Sequence, residues 1–161
     1  MMNTDKEERK LKKVKINLMR QKEFARWSAL MMVGKTELSD TVPTAYTNGR
    51  DEVYGRAFVK ALSEKELAFV ILHENLHKAF RHLTTWQKLF KECAPLTNAA
   101  CDYVINLMLV DMDPGSKFLA MPQKDGKDFG LLDRRFAGMH TKQVYDILKE
   151  EGNGNGEGEG E

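Results

Sequence analysis

The chain has only two cysteines, Cys93 and Cys101, eight positions apart and in no CxxC pair. That excludes a disulfide framework and a cysteine-built zinc knuckle, and it suits a reducing compartment. Long apolar runs are also missing. No window approaches the roughly 18 apolar residues that span a bilayer, and the first ten residues lack the apolar core of a signal peptide. Charge of one sign is lacking too: 25 Lys+Arg stand against 24 Asp+Glu, so overall charge argues neither for nucleic acid nor for an acidic membrane surface. The expectation is a cytoplasmic protein without a membrane segment. A length of 161 residues accommodates one domain with a real core and is short for two.

Against this background stands His73-Glu74-Asn75-Leu76-His77, an HExxH sequence. Residues four apart on a helix differ by about 40° around the axis, so both imidazoles leave one face and can reach one metal ion. Glu74 then sits beside that ion. It can take a proton from a metal-activated water attacking a carbonyl and pass it to the leaving amine, which is peptidase chemistry. Context supports a helix here. Ser63 and Glu66 have the spacing of a capping box, and no Gly or Pro interrupts Glu66 to Leu83. Leu67, Val70, Ile71, Leu72, Leu76, Ala79, Phe80 and Leu83 make the segment apolar around much of its circumference. Two histidines and a glutamate in such a helix need partners, because unpaired polar groups there cost several kcal/mol. A metal is one partner; backbone carbonyls are the other.

A catalytic zinc commonly takes three protein ligands, so another must come from elsewhere. Asp102 lies in an apolar helical segment 25 residues beyond His77, and Asn98, Asp102 and Asn106 recur every four residues as a polar stripe. Asp102 is read as a ligand, with Asn98 or Asn106 orienting it or a histidine; the competing reading makes Asp102 an acceptor for a histidine N–H. His82 is the alternative third ligand or a further orienting residue, but in a continuous helix it would point about 140° away from His77, and Lys-Ala-Phe-Arg contains no glycine to bend it back. His140, ahead of a helix capped by Thr141, is read as a surface histidine.

Along the chain, the spacing predicts helices over about 5–33, 63–83, 97–112 and 141–150, with Pro95 as a breaker. β-Branched and aromatic residues around Asn48-Gly49 predict a hairpin over about 41–59. Residues 116–140 predict an irregular surface segment. Residues 1–150 form one expected domain, and the Gly/Glu-rich residues 151–161 a flexible tail or linker to a partner domain. The Lys and Arg run between Arg9 and Arg20 has no interleaved aromatics and reads as a solvated helix face rather than a nucleic-acid patch.

Three blocks carry a family resemblance: Thr47-Asn48-Gly49-Arg50 through Phe58-Val59 with Leu67-Ala68-Phe69-Val70, then His73 to His82, then Asn98-Ala99-Ala100-Cys101-Asp102-Tyr103-Val104-Ile105-Asn106. Together they resemble the zinc metallopeptidase-like domains of bacterial and phage proteins that often precede a von Willebrand factor A-like domain. The resemblance spans about residues 40–148. It implies an α+β, mainly helical, zincin-like fold, one Zn2+ per chain on His73, His77 and Asp102, Glu74 as general base, and a peptide or protein substrate. It would place the protein in the host cytoplasm if phage-encoded. The alternative is a non-catalytic, metal-stabilised interaction module.

Overall fold

The computed structural model describes residues 5–80, 82–124, 126–128 and 130–154. The fold is mainly helical with a small three-stranded sheet, an α+β arrangement. Helix α1 (Lys6–Arg20) starts where Asp5 accepts hydrogen bonds from the Glu7 and Glu8 N–H groups, and it buries Leu11, Val14 and Leu18. The helix expected over 5–33 is broken after Arg20. Phe24, fully buried, is turned into the core there, and the chain resumes as a 3₁₀ turn (Ala25–Trp27) and α2 (Ser28–Met31).

The hairpin region is more elaborate than expected. Strand β1 (Thr36–Ser39) lies parallel to β3 (Glu52–Gly55), and β2 (Ala45–Thr47) pairs antiparallel with β3, giving the order β1-β3-β2. The β2-β3 loop forms around Asn48-Gly49. Asn48 Oδ1 accepts from the Arg50 and Asp51 N–H groups, and Gly49 adopts φ +96°. Bonds from Asn48 N–H to the Asp51 carbonyl and from Gly55 N–H to the Thr44 carbonyl mark the hydrogen-bonded positions. By alternation, Ala45 and Thr47 turn their backbone groups away from β3. Residues 56–59, expected at the end of the hairpin, instead open helix α3 (Arg56–Ala61). Lys10 Nζ donates to the Val59 and Leu62 carbonyls at its C-terminal end, a tertiary stabilisation invisible in local propensity.

Helix α4 (Glu64–Ala79) opens with both bonds of the capping box, Glu66 N–H to Ser63 Oγ and Ser63 N–H to Glu66 Oε1. It ends at Ala79, four residues before the expected limit, and α5 (His82–Thr85) and α6 (Gln87–Glu92) follow. Helix α7 (Ala94–Met112) begins before the expected residue 97, because Pro95 occupies its first turn, where a missing N–H costs nothing. Asp113 ends it, its carboxylate accepting the Lys117, Phe118 and Leu119 N–H groups. The segment expected to be irregular contains strands β4 (Gln123–Lys124) and β5 (Lys127–Asp128) and a 3₁₀ turn (Arg134–Phe136). Helix α8 (Thr141–Gly154) runs past residue 150, so the first four residues of the expected tail are helical and 155–161 lie outside the described residues.

The main core joins α1, the sheet, α4 and α7, with Leu67, Ile71, Leu72, Leu76, Ile105 and Leu109 fully buried. A second cluster packs Phe136, Val144 and Tyr145 against α6 and α7. Among the described residues no helix is long and apolar enough to cross a membrane.

Candidate metal centre

Helices α4 and α7 face each other along two polar pairs. His77 Nε2 lies 3.0 Å from Asp102 Oδ1, and His73 Nδ1 lies 2.7 Å from Asn106 Oδ1. His73 Nε2 is also 3.1 Å from Asp102 Oδ1 and 3.1 Å from His77 Nε2. Three potential ligand atoms therefore converge on one point. Among the described residues, His73, His77 and Asp102 are the one group of three His, Cys, Asp or Glu residues so arranged. Ligands around a tetrahedral ion bonded at about 2.0–2.1 Å stand about 3.3 Å apart, close to the spacing here. The set of two imidazoles and one carboxylate suits zinc or another borderline divalent cation.

Asn106 fixes the His73 tautomer. Its Nδ2 donates to the Leu131 carbonyl at 2.9 Å, so the amide oxygen must face His73, and Nδ1 must carry the proton. The Nε2 lone pair is then aimed at Asp102 and His77. Without a cation that arrangement is electrostatically incomplete, and a proton takes the place. Burial opposes the charged His73, but the Asp102 hydrogen bond, the charges of Glu74 and Asp102, and Asn106 outweigh it and raise the pKa to about 9. Burial of Asp102 is likewise outweighed by both histidines, which hold it well below the usual carboxylate range. The three side chains keep 17%, 12% and 24% exposure for His73, His77 and Asp102, enough for a ligand to reach them.

Glu74 is 7% exposed and lines the same cleft. Burial raises its pKa, partly offset by His73 and His77. The cleft has a volume of about 330 Å³ and is walled by β2 on one side, α7 on the other, and the segments at Met121-Pro122 and Gly130-Leu131.

Beneath α4 lies a buried polar knot absent from the sequence reading. Glu52, fully buried, accepts from Tyr54 Oη at 2.8 Å and Asn75 Nδ2 at 2.7 Å through Oε1. Its Oε2 accepts from Lys78 Nζ and Thr36 Oγ1, both at 3.1 Å, and from Lys15 Nζ at 3.4 Å. Burial, together with the negative charges of Glu52 and Glu74, holds the Tyr54 hydroxyl well above its ordinary range, so it serves as a donor. The available signal was Asn75 and Lys78, two polar residues about 140–200° around the helix from His73.

Of the remaining candidates, Asn98 lines the exposed end of the cleft. The His82 side chain lies outside the described residues. His140, rather than Thr141, caps α8: its N–H donates to Gln143 Oε1 at 3.0 Å, its Nδ1 accepts the Gln143 N–H at 3.4 Å, and its ring stacks on Trp86. In the basic α1, Lys13 and Lys15 pair with Glu64 and Glu52, as Lys10 does with backbone carbonyls.

A helix carrying two histidines, a facing helix carrying a carboxylate, and a buried glutamate between them under a sheet edge describe a candidate metal-dependent hydrolase. The chain belongs to the family described as "Putative metallopeptidase domain", whose model matches residues 6–161. Searches of curated proteins and of solved structures give no match.

Proposed function

We propose that this domain is a zinc-dependent endopeptidase of zincin-like build, acting on extended polypeptide in the cytoplasm. His73, His77 and Asp102 hold the ion, Glu74 is the general base, and Asn106 orients His73. The observation that carries the reading is the fixed His73 tautomer, which turns Nε2 toward the point already faced by His77 Nε2 and Asp102 Oδ1. When bound, zinc would polarise the scissile carbonyl and make water acidic enough to be deprotonated near neutral pH. Glu74 removes the proton from the attacking water and delivers it to the departing amine nitrogen. Its buried setting keeps it more basic than a surface glutamate, as a general base requires. Strand β2 supplies the substrate's backbone partner: Ala45 and Thr47 line the cleft and turn their N–H and C=O groups away from β3. Free thiols at Cys93 and Cys101 support a reducing compartment.

The test is metal content by mass spectrometry on protein purified without a chelating tag, followed by peptide hydrolysis by the wild type and Glu74→Gln. About one zinc per chain in both proteins, with hydrolysis in the wild type alone, is the expected result. Equal hydrolysis by Glu74→Gln would overturn the mechanism, and bound zinc without any hydrolysis would return the domain to a metal-stabilised interaction module.

A further inference from the structure

We infer that the cleft contains an apolar subsite beside His73, which selects a peptide with a leucine- or phenylalanine-like side chain next to the cleaved bond. The inference rests on the hydrolytic reading above and adds to it the class of substrate.

The two facing pairs give the cleft a direction. His73 meets Asn106 and His77 meets Asp102, so α4 and α7 run in opposite senses along the site. Asn98, one turn before Asp102, therefore lies beyond His77. Phe69 and Val70 precede His73 by four and three residues, which places them one turn away on the same side of the helix. Met121 and Pro122 are anchored at that same end. Ala120 N–H donates to the Lys65 carbonyl at 3.2 Å, and Gln123 N–H donates to Glu66 Oε2 at 2.9 Å, both in the first turn of α4. Leu131 stands over Asn106, its carbonyl held by the asparagine amide. The lining on the His73 side is thus Phe69, Val70, Met121, Pro122 and Leu131, whereas Asn98 lies toward the His77 side.

The wall is closely built. A Cβ at Gly130 would come within 2.6 Å of Met121 Sδ, so the methionine side chain packs directly against Gly130. Charge adds a second selection. Among the described residues no Lys or Arg lines the cleft, whose acidic groups are Glu74 and Asp102. An acidic side chain would find no cationic side chain to pair with, and a free C-terminal carboxylate no fork of donors to hold it. An internal bond beside an apolar residue fits both walls and charge.

Three hydroxamates separate the metal from the subsite, because each presents the same chelating group and only the acyl chain differs. Acetohydroxamate, 4-methylpentanoyl hydroxamate and the monohydroxamate of succinic acid are titrated calorimetrically into zinc-loaded protein. We expect the branched apolar chain to bind about 10- to 100-fold tighter than acetohydroxamate, the size of burying one such side chain, and the acid-terminated chain to bind no tighter. Met121→Ala should shrink the apolar gain severalfold with acetohydroxamate affinity unchanged. If acetohydroxamate binds and the apolar chain confers no gain, the subsite is refuted and the metal reading stands. If acetohydroxamate fails to bind the zinc-loaded protein, the hydrolytic reading falls and this inference with it.

Discussion

Replacing Asn106 tests whether the centre is aimed or merely assembled. The side chain is 3% exposed and makes two bonds, accepting from His73 Nδ1 at 2.7 Å and donating to the Leu131 carbonyl at 2.9 Å. Asn106→Ala removes both. At about 1 kcal/mol per net hydrogen bond, with a further cost for a carbonyl left unpaired, the metal-free fold should lose about 2–3 kcal/mol. The effect on metal is separate. A free His73 ring can rotate or place its proton on Nε2, and losing such an orienting partner typically costs about 10- to 100-fold in metal affinity. Asn106→Asp is the comparison: it keeps an acceptor for His73 Nδ1–H but turns a charged oxygen, in place of the donor, toward the Leu131 carbonyl. Competition against a chelator should rank the wild type and Asn106→Asp close together and Asn106→Ala well below, with urea titration recording stability in parallel. Zinc affinity in Asn106→Ala within twofold of the wild type would refute the argument. Equal losses in Ala and Asp variants would show that the residue acts through folding alone.

Asp102→Ala should weaken zinc binding by more than tenfold, measured by the same competition; unchanged affinity would remove the aspartate from the ligand set. The pH dependence has a definite sign. The His73 pKa, raised to about 9 in the metal-free fold, stabilises that fold fully below about 6.5 and the contribution disappears as pH rises through 9. Zinc must displace the same proton, so its affinity should climb by about one decade per pH unit between 7 and 9 from His73 alone; a flat profile there would contradict the shift. Lys78→Met should destabilise by about 3–5 kcal/mol, because Glu52 is left buried with its charge less compensated. The double variant Glu52→Gln/Lys78→Met should recover much of that loss in a urea titration, and a single-variant loss below about 1 kcal/mol would show that the pair is not coupled.

How much of this was legible depended on whether the signal was local. The start of α4 could be read because Ser63 and Glu66 satisfy each other within one turn. The polar stripe of α7 was legible because four-residue spacing is a property of the helix itself; Asp102 and Asn106 lie within hydrogen-bond distance of His77 and His73. Strand β1 was missed because four residues with little burial alternation carry no period, and its partner lies 16 positions away. Helix α3 was mistaken for strand because Phe58 and Val59 favour extended backbone, while Lys10, far off in sequence, stabilises the helix end. The argument against His82 assumed one straight helix to residue 83, and α4 ends at Ala79. Cleft walls at Met121 and Leu131 come from segments with no period at all.

Glu52 has a mechanical consequence. His73 and His77 leave one side of α4, while Asn75 and Lys78 leave the other and are gripped by a carboxylate that is also tied to β1, β3 and α1. The helix behaves as a keyed shaft. Rolling it by a single residue, about 100°, would strip every tooth from the key before the imidazoles reached a new bearing. The pentapeptide is therefore not portable by itself: grafted onto another scaffold, HENLH would bring the donors without the device that sets their heading, and the smallest transferable part is α4 with β3 locked beneath it.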